Sequence, residues 1–160
     1  MTPRLKQLVY ELYRPKEQRR VFALSRAEAE ALPQFESVAV ISITKPGKAH
    51  ARLSDFTHVL RLSFADIDHL SPNISARGRK KVAEAFTADQ AQQVVEFIEA
   101  LPPEIRDLVA HCEGGYSRSC AVAKFLHENY GYEAEARRLE YANRSVVEIL
   151  RRAARTRGVP

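Results

Sequence analysis

The run "SVAVISIT" at positions 37–44 restricts the folds open to this chain more than any other feature. It is β-branched and apolar with almost no polar alternation, which predicts a strand covered on both faces rather than one with a wet side. "KPG" at 45–47 then turns the chain. Such a strand requires a sheet around it and cover above and below. "RVFALS" (20–25), "THVLRLSF" (57–64) and "DLVAHC" (107–112) read as the other strands, with 57–64 as buried as 37–44.

Helical signals alternate with these strands. "RAEAEAL" (26–32) follows a serine and ends at Pro33, which predicts a brief helix. "TADQAQQVVEFIEAL" (87–101) has a threonine cap and apolar residues at 91, 94, 95, 98 and 101, so one face is buried, and Pro102 and Pro103 stop it. "RSCAVAKFLHENY" (118–130) favours helix, and Gly131 stands where a left-handed cap ends one. The last stretch, "EAEARRLEYANRSVVEILRRAART", predicts one or two more helices with an exposed basic face. Between Phe64 and Phe86 the polar "ADIDHLSPNISARGRKKVAEA" predicts a long loop holding a helical turn. The order predicts an α/β fold: a central mixed, mainly parallel sheet flanked by helices. No repeat, low-complexity tract or linker divides residues 1–160, so a single domain is expected.

Composition narrows the partners. Lys and Arg number 25 against 20 Asp and Glu, a formal +5 that favours anionic ligands such as phosphoesters, nucleic acid or an acidic membrane surface. The two cysteines, Cys112 and Cys120, cannot frame a disulfide-stapled secreted fold, and no C-x-x-C or clustered His/Cys set is spaced for zinc. No metal or cofactor is therefore expected, and a reducing cytoplasmic setting is. The opening "MTPRLKQLVYELYRPKEQRR" has charges interrupting every apolar stretch, so no signal peptide is predicted, and no segment reaches membrane-spanning length.

The chemistry concentrates in "VAHCEGGYSRSC" (109–120). A strand leads to Cys112, the loop "EGGYS" follows, and Arg118 opens a helix. A loop that turns from strand into helix can aim successive backbone N–H groups inward, and the helix start adds partial positive charge, which makes a phosphate-sized anion site. Gly114 and Gly115 permit backbone angles and a ligand approach that a Cβ resists. The donors that bind a dianion also stabilise a thiolate at Cys112. The planar fork of Arg118 can grip two phosphoryl oxygens, more tightly as charge builds in the transition state.

His111, Cys112, "EGGYS", Arg118 and Ser119 together read H-C-x5-R-S, and this resembles the signature of the protein tyrosine phosphatases. "GYSRS", the short chain and the late position of the loop resemble the dual-specificity branch in particular. Other C-x5-R families, the low-molecular-weight phosphatases and arsenate reductases, carry the loop near the N-terminus. The resemblance implies a phosphatase-type loop between strand and helix and hydrolysis of phosphotyrosine, with phosphoserine or phosphothreonine also accepted, through a phosphocysteine and without metal. Cys112 would attack phosphorus, Arg118 would bind the phosphoryl oxygens, and the amides of Glu113, Gly114, Gly115, Tyr116, Ser117 and Arg118 would cradle them. Ser119 would stabilise the departing thiolate, and His111 would organise the loop.

The family also implies an aspartic acid on a loop after an earlier strand, to protonate the leaving oxygen. Asp66 resembles that position best, Asp68 is the alternative, and Asp55, before the strand, is third. Asp66 lies 46 residues ahead of Cys112 (112 − 66), farther than the dual-specificity pattern has it, and the basic segment around 71–86 is the added length. That "RGRKK" cluster reads as a solvated face, or as a rim steering a polyanionic substrate. Cys120 reads as core filler, with a disulfide to an oxidised Cys112 as the alternative. Glu113 is tolerable beside an anion only if its carboxylate points to solvent. The expected partner is a phosphorylated protein or another phosphoester. RNA 5′-phosphates, phosphoinositides, or an anionic polymer held by a phosphate-binding module without turnover are the alternatives.

Overall fold

The computed structural model describes residues 1–159. Its elements run α1 (Pro3–Leu12), β1 (Arg20–Ser25), α2 (Arg26–Ala31), β2 (Val38–Thr44), β3 (His58–Ser63), α3 (Ala76–Lys80), a 3₁₀ turn (Val82–Glu84), α4 (Ala88–Ala100), β4 (Asp107–Cys112), α5 (Arg118–Tyr130), α6 (Ala136–Leu139) and α7 (Arg144–Thr156). The strands form one sheet in the order β1-β4-β2-β3. Every pairing in it is parallel, so the expected mixed sheet is corrected to an all-parallel one among the described residues. Parallel neighbours put all four carboxyl ends on one edge, and the central strand β4 brings Cys112 to it.

Alternation along the strands divides the core into two layers. Val21 and Ala23 of β1, Ala39, Ile41 and Ile43 of β2, and Leu108, Ala110 and Cys112 of β4 face α4, α5 and α7 in one buried cluster. Phe22, Leu24, Val38, Val40 and Val109 face the other way, against Leu5, Leu8 and Leu12 of α1 together with Leu32, Phe35 and Phe56. The strands 20–25, 37–44 and 107–112 are thus covered on both sides, as their continuous apolar character requires.

Two expectations change. The N-terminal stretch, read only for its lack of a signal peptide, is helix α1: Leu5, Leu8 and Leu12 fall on one buried stripe, Thr2 Oγ1 accepts from Leu5 N at 3.1 Å, and Pro3 occupies the first turn, where a missing N–H costs nothing. Strand β3 is not buried like β2. It is an edge strand, mostly half-exposed, with Leu62 as its one buried residue. The remaining helices fall where the spacing predicts them, and Gly131 closes α5 with φ +72°.

Arg20 and Asp107 face one another at the amino end of β1 and β4, 1–3% exposed. They form a two-pronged ion pair, with Nε to Oδ1 at 2.8 Å and Nη2 to Oδ2 at 2.9 Å. No helix among the described residues is long and apolar enough to cross a membrane.

Candidate active site

Cys112 ends β4 with its sulfur beneath the following loop, 2% exposed. The Gly115 N–H donates to Sγ at 3.3 Å, and Ser119 Oγ lies 3.3 Å from the same atom. A backbone donor and a hydroxyl able to donate thus converge on one sulfur, and both could steady negative charge there. Helix α5 starts at Arg118 without a side-chain cap, because Ser117, in the capping position, sends its hydroxyl elsewhere. The first-turn amides of a 13-residue helix thus lack an internal acceptor at the loop.

Gly115 is obligatory here. Its φ is +78°, and a Cβ would stand 2.6 Å from Ser25 N and 2.7 Å from the Leu24 carbonyl carbon, atoms of backbone that cannot swing away. Those atoms are held by the β1–α2 junction, where Ser25 and Glu28 bond reciprocally at 3.1 and 2.9 Å. Gly114 has ordinary space, its nearest neighbour being Tyr116 Cδ2 at 3.6 Å. The Glu113 carboxylate turns outward to Lys48 Nζ at 3.0 Å. The Tyr116 ring also turns outward, 55% exposed, with Tyr141 edge-on and the Arg138 guanidinium 5.4 Å above it.

Arg118 is buried and its Nη1 donates to the Phe64 carbonyl at 2.9 Å, which ties the start of α5 to the end of β3. The chain beyond Phe64 carries both candidate acids. Asp66 Oδ1 accepts from Ser117 Oγ at 2.7 Å and from Asn143 Nδ2 at 2.9 Å. Asp68 instead accepts a hydrogen bond from Ser145 Oγ, at the start of α7, and Ser145 Oγ accepts from Leu70 N at 2.9 Å. Asp66 is therefore joined to the cysteine loop and Asp68 to the far helix, although both line one cleft of about 480 Å³ with Arg118. Asp55 drops out: it precedes β3, whose amino end lies at the opposite edge of the sheet from Cys112.

His111 is fully buried, its Nε2 2.6 Å from Ser42 Oγ and its Nδ1 3.4 Å from the Cys112 carbonyl. Burial holds the imidazole below its ordinary value, which keeps it neutral. It braces β4 against β2 from the face opposite the Cys112 side chain. Cys120 is buried in α5 with its sulfur 3.5 Å from the Gly115 carbonyl, and burial pushes its thiol up to about 11. Both cysteines are free thiols.

Gly115 and Ser119 thus meet at the Cys112 sulfur, Arg118 ties the helix start to Phe64, and Asp66 is attached to the loop through Ser117. Three participants escape sequence reasoning. Asn143 donates its backbone N–H to the Ser117 carbonyl at 3.1 Å, bonds Asp66 and the Ile67 carbonyl through Nδ2, and caps α7 through Oδ1 on Val146 N. Its local signal was that of any helix cap. Ser42 sat in an apolar run, where a lone serine marks a hidden partner. Lys45 reaches the cleft from the turn after β2, which the sequence marks only as a turn. Comparison of the chain with protein-family models, curated proteins and solved structures found no match.

Proposed function

We propose that this protein is a cysteine-dependent phosphomonoesterase of the dual-specificity type, acting on phosphotyrosine and related phosphoesters. The observation that carries this reading is the convergence of Gly115 N–H and Ser119 Oγ on the Cys112 sulfur at the uncapped start of α5. In the first step the Cys112 thiolate attacks phosphorus, an S–P bond forms and the P–O ester bond breaks. Asp66 gives its proton to the departing oxygen, while Arg118 and the loop amides hold the three equatorial oxygens. In the second step water attacks the phosphocysteine, Asp66 recovers a proton from it, and the S–P electron pair returns to sulfur. Ser119 steadies the thiolate so released.

Buried free thiols at 112 and 120 suit the reducing cytoplasm, which we take as the setting. Turnover of an aryl phosphate tests the assignment. Wild-type protein releases phosphate and forms a trappable phosphocysteine, and Cys112→Ser does neither. Phosphate binding without product would instead identify a binding module, and activity in Cys112→Ser would end the proposal.

A further inference from the structure

At the lip of the cysteine loop two tyrosine rings meet in the open. Tyr116 and Tyr141 are 55% and 60% exposed, with ring centroids 5.8 Å apart and planes at 74°. Their meeting is fixed by the backbone on both sides. Gly115 and Ser117, the two neighbours of Tyr116, each accept a hydrogen bond at the carbonyl from the segment that carries Tyr141. The donors are Arg138 Nη1 at 3.1 Å and Asn143 N at 3.1 Å. The Tyr141 N–H closes its own turn onto the Arg138 carbonyl at 3.2 Å, and the Arg138 guanidinium lies 5.4 Å over the Tyr116 ring. The pair is therefore in place before anything binds, so little ordering cost falls on a contact made there. Tyrosine and arginine are also the side chains on which binding energy concentrates where proteins meet.

Position says what would cover the rings. Ser117, next to Tyr116, holds Asp66 through its hydroxyl, so the rings border the point from which a leaving group departs. What lies over them is the part of a substrate that flanks the scissile ester. An extended peptide advances about 3.3–3.6 Å per residue, which brings side chains one to three residues from the phosphoresidue within reach. The surrounding charge does not suit a polyanion. Glu135 and Glu140 alternate with Arg137, Arg138 and Arg144, and Asp66 and Asp68 line the adjoining cleft, whereas a nucleic-acid path calls for a run of cations. A third ring needs no charge, since aromatic side chains pack edge-on or offset at centroid spacings of about 4.5–7 Å. We infer that Tyr116 and Tyr141 form a platform for an aromatic residue one to three positions from the phosphoresidue of a peptide substrate, which makes Tyr141 a specificity-determining residue and rests on the phosphatase reading.

The test compares wild type, Tyr141→Ala and Tyr141→Phe. The substrates are an aryl phosphate, a 5′-phosphorylated oligonucleotide and phosphotyrosine peptides carrying phenylalanine or alanine at one flanking position at a time, within three residues on either side. Wild type is expected to favour phenylalanine at one or more positions by about three- to tenfold in kcat/KM. Tyr141→Ala should lose that preference yet keep its turnover of the aryl phosphate, and Tyr141→Phe, which retains the ring, should keep both. Equal use of the two peptide sets by wild type, a preference that survives in Tyr141→Ala, or turnover of aryl phosphate alone overturns the inference and leaves the phosphatase reading standing. An equal loss by Tyr141→Ala on peptides and aryl phosphate, or a wild-type preference for the oligonucleotide over every peptide, overturns it too. If nothing is cleaved, the phosphatase reading falls. Binding of the same peptides, fluorescently labelled, then decides the platform: a phenylalanine preference lost in Tyr141→Ala upholds it, and any other pattern rejects it.

Discussion

The Ser117 hydroxyl donates a 2.7 Å hydrogen bond to Asp66 Oδ1, so the loop that follows Cys112 and the segment that follows β3 meet at one carboxyl group. Asp68, two residues on, is bound instead to Ser145. On an aryl phosphate, Asp66→Asn is expected to lower kcat by about 10²–10⁴ and to erase the basic limb of the pH–rate profile. Asp68→Asn should keep that limb. The reverse pattern would transfer the proton-donor role to Asp68.

Gly115→Ala combines a left-handed backbone with a Cβ driven into Ser25 N and Leu24 C. We expect a loss of about 2–4 kcal/mol in urea unfolding, together with loss of turnover because the donor to Cys112 must shift. Gly114→Ala, whose Cβ meets only ordinary van der Waals contact, should unfold within about 0.5 kcal/mol of wild type. Equal stability of the two variants would contradict the close contact between the loop and the β1–α2 junction.

At the other end of the strands, Arg20→Met leaves Asp107 buried without its partner. The expected cost is about 3–5 kcal/mol. Replacing both, as Arg20→Met/Asp107→Leu, should recover most of it, since the orphaned charge then disappears. Thermal unfolding of the three proteins separates an ion pair that stabilises from one that is merely costly to break.

His111 makes stability depend on pH with a definite sign. Burial lowers its folded-state value below the ordinary 6.5, so below that pH the unfolded chain takes up the proton first. Its contribution is intact above pH 6.5 and is lost as pH falls toward the folded value, with a slope of at most about 1.4 kcal/mol per pH unit. His111→Gln should show a shallower decline of unfolding free energy across that window. A slope equal to the wild type's would assign the titration to other groups.

The Cys120 thiol, pushed up to about 11, is almost wholly protonated at neutral pH. Brief iodoacetamide treatment at pH 7 should therefore modify Cys112 and spare Cys120, as peptide mapping would show. Prior incubation with phosphate should protect Cys112. Equal labelling of both would remove the chemical distinction between them.

What could be read from the sequence was local. The H-C-x5-R-S segment packs its chemistry into nine consecutive positions, 111–119, and its strand-to-helix context is written on either side of it. Strands 20–25, 37–44 and 107–112 are legible because burial on both faces leaves room for few polar residues, of which Arg20 pairs with Asp107 and Ser42 with His111. The alternation of strands and helices points to a mainly parallel sheet, and only the absence of any antiparallel pairing among the described residues goes beyond it. The half-exposure of β3 follows from its place at the sheet edge, which its own composition hides. Leu5, Leu8 and Leu12 carry a helical period, but the charged residues between them mask it in a stretch this polar. Asn143 lies 77 residues from Asp66, and only the fold brings them together.

That distance has a temporal meaning during synthesis. Because Asn143 sits just before α7 and bonds both Asp66 and the Ser117 carbonyl, a ribosome must deliver the chain through residue 143 before those groups can be clasped. A nascent polypeptide that has exposed Cys112 but not yet Asn143 would hold Asp66 through Ser117 alone.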